Sequence, residues 1–187
     1  MNPCWIIRTG RLVLRPVQGD DLPDLAAIKA DPLVFAVMLG GVRSRVQAAE
    51  ELAADIAEWA RLGHGTWAVR DRQDGAFCGL TALQPRADGR GIGLRFAFWA
   101  ELQGRGYARE AAGAALRFGH DVRRLPRIVG VARESNHASR VVLGGIGMTV
   151  CERFERDGYA MLTYESRSEP PPSPPAGGGN PPAAGAC

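Results

Sequence analysis

Gln103-Gly104-Arg105-Gly106-Tyr107-Ala108-Arg109-Glu110-Ala111-Ala112 follows the apolar, aromatic run Leu94-Arg95-Phe96-Ala97-Phe98-Trp99 and opens a long helical pattern. A strand that passes through a glycine-rich turn into a helix makes an anion site. The first N–H groups of a helix have no internal partner, and the helix dipole adds partial positive charge beside them. Gly104 and Gly106 carry no side chain to block a ligand, and Arg105 and Arg109 add positive charge. The stretch reads as a pyrophosphate cradle.

Three phosphate-binding patterns compete for it. A Walker loop needs Lys-Ser or Lys-Thr after its second glycine, and Tyr107-Ala108 stands there instead. A dinucleotide fingerprint needs glycine or alanine where Arg109 stands, and an acidic residue closing the next strand. That strand, Arg127-Ile128-Val129-Gly130-Val131-Ala132, runs into Arg133, and Glu134 comes too late. The third pattern, Gln/Arg-x-x-Gly-x-Gly/Ala, is met in full by Gln103-x-x-Gly106-x-Ala108. On this motif the chain resembles the GNAT superfamily of N-acetyltransferases. Gly104-x-Gly106-Tyr107-Ala108-x-Glu110-Ala111 resembles in particular the branch that acetylates ribosomal-protein N-termini, the ribosomal-protein alanine N-acetyltransferases.

A second block supports the same resemblance. Asn136-His137-Ala138-Ser139-Arg140-Val141-Val142-Leu143-Gly144-Gly145-Ile146-Gly147-Met148 is similar to the family's Asn-x-x-Ser-x-x-Val-Leu-Glu-Lys-Leu-Gly-Phe. Asn136, Ser139, Val142, Leu143 and Gly147 match; Gly144, Gly145 and Met148 depart from it. Glycines at the end of a helix are expected to fray it.

The periodicities around these motifs give the order β-α-α-β-β-β-α-β-α-β-β. Strands are expected at Leu12 to Pro16, Thr66 to Arg70, Phe77 to Leu83, Ile92 to Trp99, Ile128 to Ala132, Met148 to Phe154 and Tyr159 to Tyr164. Asp20-Asp21 offers N-cap chemistry for a first helix through Ile28. Ser44-x-x-Gln47 is a capping box, and the helix it opens is read with Leu52, Ile56 and Trp59 on one face. A helix from about Gly106 to Val122 is rich in alanine, which lets it lie close to a sheet. The expected fold is α/β, a mixed and mostly antiparallel sheet of about seven strands flanked by about four helices. Residues 1–10 read as a lead-in, 11–167 as the acetyltransferase domain, and 168–187 as a disordered tail rich in Pro and Gly.

Composition bounds the remaining classes. The chain has 187 residues and a formal net charge of +3, and Lys29 is its only lysine. Basic residues are dispersed, which argues against a nucleic-acid partner. No apolar run approaches the ~20 residues of a membrane span, and the start is too soon charged for a secretory signal. Cys4, Cys78, Cys151 and Cys187 are scattered, which suggests neither a metal site nor a disulfide framework and fits a cytoplasmic protein. A monomer or a homodimer is expected.

Acetyl transfer to an amine sets the chemical requirements. The amine must be held near the thioester carbon, and a fixed N–H donor must face the carbonyl oxygen as it gains charge. The resemblance implies acetyl-CoA as co-substrate. Its thioester arm would lie along Phe96, Ala97 and Phe98, and its pyrophosphate on the backbone of Gln103, Gly104, Arg105, Gly106, Tyr107 and Ala108. It further implies that Asn136 hydrogen-bonds the arm and that Ser139 sits near the sulfur as a proton donor. The expected strand Ile92 to Trp99 contains no carboxylate. Glu134 is the first choice for the general base and Glu155 the second, each set against a solvated surface charge. The acceptor amine stays open among a protein N-terminus, an amino acid and an aminoglycoside. Asp55 and Glu58 could attract a cationic acceptor, though a solvated helix face is the plainer reading. A non-catalytic acyl-CoA-binding module is the alternative from another class.

Overall fold

The computed structural model describes residues 2–38 and 40–168; of the tail expected at 168–187, all but Ser168 lies outside them. Along the chain the strands are β1 (Ile7–Arg8), β2 (Leu12–Pro16), β3 (Thr66–Asp71), β4 (Phe77–Pro85), β5 (Ile92–Phe98), β6 (Arg127–Arg133), β7 (Thr149–Arg156) and β8 (Tyr159–Arg167). The helices are α1 (Leu22–Ala30), α2 (Pro32–Phe35), α3 (Arg45–Leu62), α4 (Tyr107–Arg117) and α5 (His137–Gly145). The strands form one sheet in the order β1-β2-β3-β4-β5-β6-β8-β7, and all neighbours are antiparallel except β5 and β6.

The sheet has eight strands rather than seven. The extra one, β1, is two residues long and pairs Ile7 with Leu14 and Arg8 with Val13. So short a strand cannot display alternation. The stretch before it is part of the packed body: Trp5 lies 5.1 Å from Trp59 by ring centroid, and its carbonyl accepts from Trp67 Nε1 at 2.8 Å.

Helix ends follow the local chemistry. Ser44 and Gln47 form the expected reciprocal cap, Gln47 N donating to Ser44 Oγ (3.2 Å) and Ser44 N to Gln47 Oε1 (2.8 Å). Gly63 closes α3 in the left-handed region at φ 65°. The buried stripe of α3 differs from the expected one. It is Ala48, Leu52, Asp55 and Trp59, and Ile56 is 40% exposed. The pattern i, i+4, i+7, i+11 outranks the single apolar residue beside it because the sheet lies on that side. α5 runs through Gly144 and Gly145 to its end, where the Arg109 guanidinium lies 3.2 Å from the place a Cβ of Gly145 would take.

The sheet separates two apolar layers. Leu83, Leu94 and Phe98 pack with Ala111, Ala115 and Leu116 of α4, while Ala68, Leu80 and Ala97 pack with Leu25 and Ile28 of α1 and Leu52 of α3. Successive β5 residues therefore serve opposite layers. Ala111, Ala112 and Ala115 are fully buried, and their small side chains set α4 close against the strands.

Asp21 does not cap α1 with its side chain. Its carboxylate is fully buried, with Arg15 Nη2 at 2.7 Å and Arg70 Nη2 at 2.9 Å, and it also accepts from Gln18 N at 2.9 Å. This network ties β2, α1 and β3 together. Removing one partner of a buried pair leaves uncompensated charge, typically ~3–5 kcal/mol. Asp21→Ala is expected to lower the stability in chemical denaturation by about 3 kcal/mol, against less than ~1 kcal/mol for the exposed Asp157→Ala.

Candidate active site

β5 and β6 run parallel and pair only at Ile92 with Ile128 and Gly93 with Val129. Beyond that they part. β5 stays paired to β4 along its whole length, and β6 to β8, so neither strand loses its other edge. From Leu94 to Phe98 the backbone of β5 presents an edge with no strand partner towards β6. Unpaired backbone groups inside a sheet are costly unless something takes their bonds. A wedge-shaped cleft of about 620 Å³ opens here, bounded by Leu94, Arg95 and Phe96 on one side and by Val129, Val131, Ala132 and Arg133 on the other.

The C-terminal end of β5 leads to the glycine-rich turn. Gly104 and Gly106 both adopt left-handed φ, 75° and 80°, and Gly106 is the N-cap of α4 with no side chain capping the helix. Residues Gln103 to Gly106 are exposed. The guanidinium groups of Arg105 and Arg109 have no ion-pair partner among the described residues. An uncapped helix start with unpaired cations beside it fits a bound phosphate group.

The turn is held in shape from outside. Glu110 accepts from Thr9 Oγ1 (2.6 Å), Arg11 N (2.9 Å) and Arg11 Nε (2.7 Å), and Arg11 Nη1 donates to the Arg105 carbonyl at 2.9 Å. The Arg11 guanidinium lies over the Tyr107 ring, 4.4 Å from its centroid. Burial acts to raise the Glu110 carboxyl, but the hydrogen bonds from Thr9 and Arg11 outweigh it and hold the group below its ordinary value. Arg11 is a contributor that the motif did not reveal, because its partner is far along the chain.

The remaining expected residues divide. Phe96, Asn136 and Ser139 line the cleft. Ala97 and Phe98 are each 4% exposed in opposite packed layers, so they offer the cleft only backbone. Asn136 caps α5, its Oδ1 accepting from Ser139 N at 3.0 Å, which leaves its amide N–H groups without a partner among the described residues. The Ser139 hydroxyl likewise has none. Glu134 is not part of the cleft wall; its carboxylate is ion-paired with Arg153 Nη2 at 2.5 Å. Glu155 is exposed on β7.

Four carboxylates line the cleft: Glu51, Asp55, Asp88 and Asp157. Glu51 is paired with Lys29 (2.7 Å) and Arg43 (2.5 Å), Asp88 with Arg86, and the exposed Asp157 with Arg156 (3.7 Å). Asp55 is 6% exposed and has no ion pair among the described residues. Gln84 Nε2 donates to its Oδ1 at 2.5 Å, and Thr66 supplies a second hydrogen bond. Burial raises the Asp55 carboxyl to about 6, against partial opposition from the charge of Lys29 and the Thr66 hydrogen bond. The solvated helix face expected for Asp55 is overturned by this burial. The signal was in the sequence: a carboxylate stands on the apolar stripe between Leu52 and Trp59. A broader groove of about 1220 Å³ follows α4 from Gly106 past Gly113 to Gly145, and neither Asp55 nor Ser139 reaches it.

A family model described as the acetyltransferase (GNAT) domain matches residues 11–149. The chain belongs to this acetyltransferase family. It is 28% identical over 166 residues to the FsC-acetyl coenzyme A-N(2)-transacetylase of Aspergillus fumigatus, covering 79% of this chain and 66% of that one. The acetyltransferase from Agrobacterium tumefaciens superposes with a TM-score of 0.76 at 27% identity, covering 87% and 94% of the two chains. The ribosomal L7/L12 alpha-N-protein acetyltransferase, solved in complex with coenzyme A, shares the fold at a TM-score of 0.72 and 18% identity, covering 87% and 98%. The protein is therefore an N-acetyltransferase of a family that uses acetyl-CoA, and the parted strands and open helix start are the features of this chain that suit such a co-substrate.

A carboxyl raised in the folded state stabilises below its unfolded value, and that contribution is lost as pH rises through the folded one. For Asp55 the window lies between about pH 4 and pH 6. Asp55→Asn is expected to be more stable than the wild type at pH 8, on the order of 1–3 kcal/mol, with the difference vanishing near pH 4. Thermal unfolding of both proteins across that range measures it.

Proposed function

We propose that this acetyltransferase moves the acetyl group of acetyl-CoA to a protein or peptide N-terminal α-amine. The observation that carries the reading is the parting of β5 from β6 beside an uncapped, glycine-lined helix start. The backbone from Gln103 to Ala108 receives the pyrophosphate, with Arg105 and Arg109 alongside. The free edge from Leu94 to Phe98, flanked by Phe96, takes the pantetheine arm and supplies an N–H donor to the thioester carbonyl. Asn136 directs its free amide N–H groups to the arm. Ser139, one helical turn on, donates its hydroxyl proton to the departing sulfur.

The α-amine reading draws on two supports. The fold is shared with an enzyme named for α-N-protein acetylation. A carboxyl near 6 also fits the deprotonation of an α-amine, at about 7.7–8.0, better than that of a lysine at about 10.4. A small-molecule amine acetylated in preference to peptides would replace this acceptor and leave the transfer itself intact.

Acetyl-CoA at a hundredfold excess over its dissociation constant is expected to add about 2.7 kcal/mol, several degrees of melting temperature, where ATP adds none. Gly106→Trp places bulk and a strained left-handed residue in the cradle; it is expected to abolish the shift and retain a cooperative transition. An unchanged shift would remove the pyrophosphate from this turn. Ser139→Ala is expected to lower kcat about 10-fold or more with KM for acetyl-CoA within twofold, as measured by thiol release.

A further inference from the structure

We propose that Asp55 is the catalytic proton acceptor, taking the proton of the acceptor ammonium before the nitrogen attacks the thioester. This rests on the acetyl-transfer reading above and adds the group that reading lacks.

Position supports it first. Gln84, which holds Asp55 Oδ1 at 2.5 Å, is the cross-strand partner of Gly93, the last β5 residue paired to β6. Asp55 is thus tethered beside the apex of the cleft. From that apex to Phe98 is five strand steps, roughly 17 Å at ~3.3 Å each. An extended pantetheine arm entering from the cradle end spans a distance of that order, so its thioester lies within the slot, with Asp55 on the far side of it from the cradle. Asp55 and the cradle stand at opposite ends of one slot.

Charge supports it next. The two buried aspartates, Asp21 and Asp55, are treated differently by the fold. Asp21 is saturated by Arg15 and Arg70, while Asp55 receives hydrogen bonds from neutral Gln84 and Thr66. The nearby cation, Lys29, is taken by Glu51. A carboxylate kept out of water without a counter-ion has an open place for a cationic partner, and the acceptor ammonium has that charge. A group desolvated in this way is tuned for proton transfer near neutrality.

The step balances. The ammonium passes one proton to Asp55, and the freed nitrogen lone pair forms the C–N bond to the thioester carbon. The tetrahedral intermediate collapses with cleavage of the C–S bond. The sulfur takes up the Ser139 hydroxyl proton, and Ser139 recovers one from the former amine nitrogen. Asp55 then releases its proton to solvent. The products are the N-acetyl amide, the free thiol and one proton.

The test uses an Ala-initiated hexapeptide and acetyl-CoA, with thiol release followed from pH 5 to pH 9. The wild type is expected to show a kcat limb that rises through about pH 6. Asp55→Asn is expected to lower kcat on the order of 100-fold and to erase that limb, with KM for the peptide within threefold and the acetyl-CoA melting shift unchanged. Asp55→Glu should recover part of the rate and restore a limb. A purely structural aspartate would leave the wild-type limb in Asp55→Asn and alter the acetyl-CoA melting shift instead, which would overturn the proposal. A rise in peptide KM with kcat preserved would overturn the proposal, making Asp55 an ammonium anchor. Loss of the limb in Glu134→Gln, with the limb kept in Asp55→Asn, would also overturn it. Wild-type protein that releases no thiol with the peptide or with small amines would defeat the transfer reading, and this proposal with it. An active wild type matched by an equally active Asp55→Asn would defeat this proposal alone.

Discussion

Everything in the site depends on the failure of two neighbouring strands to stay paired. A parallel pair that starts in register at Ile92 and Ile128 would ordinarily continue, because each further step satisfies backbone donors and acceptors. It stops here although each strand stays fully paired along its other edge. β5 pairs with β4 from Ile92 to Phe98, and β6 with β8 from Arg127 to Arg133. Close packing also fixes each strand in place. A Cβ on Gly79 would sit 2.2 Å from the Ala97 carbonyl oxygen, and one on Gly130 would meet Leu143 of α5 at 2.6 Å. Larger residues at either place would push apart what holds the wedge open. The open edge is thus paid for by the tight ones.

Electrostatics then sorts the interior. Arginines neutralise the carboxylate that joins β2, α1 and β3, whereas the one facing the cleft is left with dipoles. Burial without a counter-ion is a destabilising arrangement, and proteins retain such arrangements where a ligand or a proton completes them. The same sorting applies to cations. Arg11 is committed to Glu110 and to the Arg105 carbonyl, while Arg105 and Arg109 are exposed and have no ion pair among the described residues. One arginine shapes the glycine turn and the other two leave their charge beside it.

The sequence disclosed the parts governed by local chemistry. Two glycines before an alanine-rich helix mark the turn, and both adopt left-handed backbone; Ser44 with Gln47 announces a helix start that forms as read. Features that depend on partners distant in the chain were hidden. β1 is too short for a pattern and exists because Ile7 and Arg8 meet Leu14 and Val13. The parting of β5 from β6 leaves no trace in composition. Asp21 looked like a helix cap because nothing in its neighbourhood mentions Arg70. Asp55 was legible in principle, since a charged residue spaced with Ala48, Leu52 and Trp59 interrupts an apolar stripe. Ile56 beside it drew the face the wrong way by one position.

The tryptophans divide the molecule into two optical regions. Of the four, Trp5, Trp59 and Trp67 form a chain of contacting rings, 5.1 Å and 4.7 Å between centroids, that reaches Phe118 behind α4. Such a stack couples its transitions and dominates the near-ultraviolet dichroism, so that signal follows the integrity of the β1–α3–α4 side. Trp99 stands apart, half-buried at the end of β5 just before the glycine turn, with its backbone N–H bonded to the Cys78 carbonyl at 3.2 Å. Its emission follows the packing and polarity where β5 ends and the glycine turn begins. Core packing and events at that turn therefore carry separate spectroscopic signatures, without an added label.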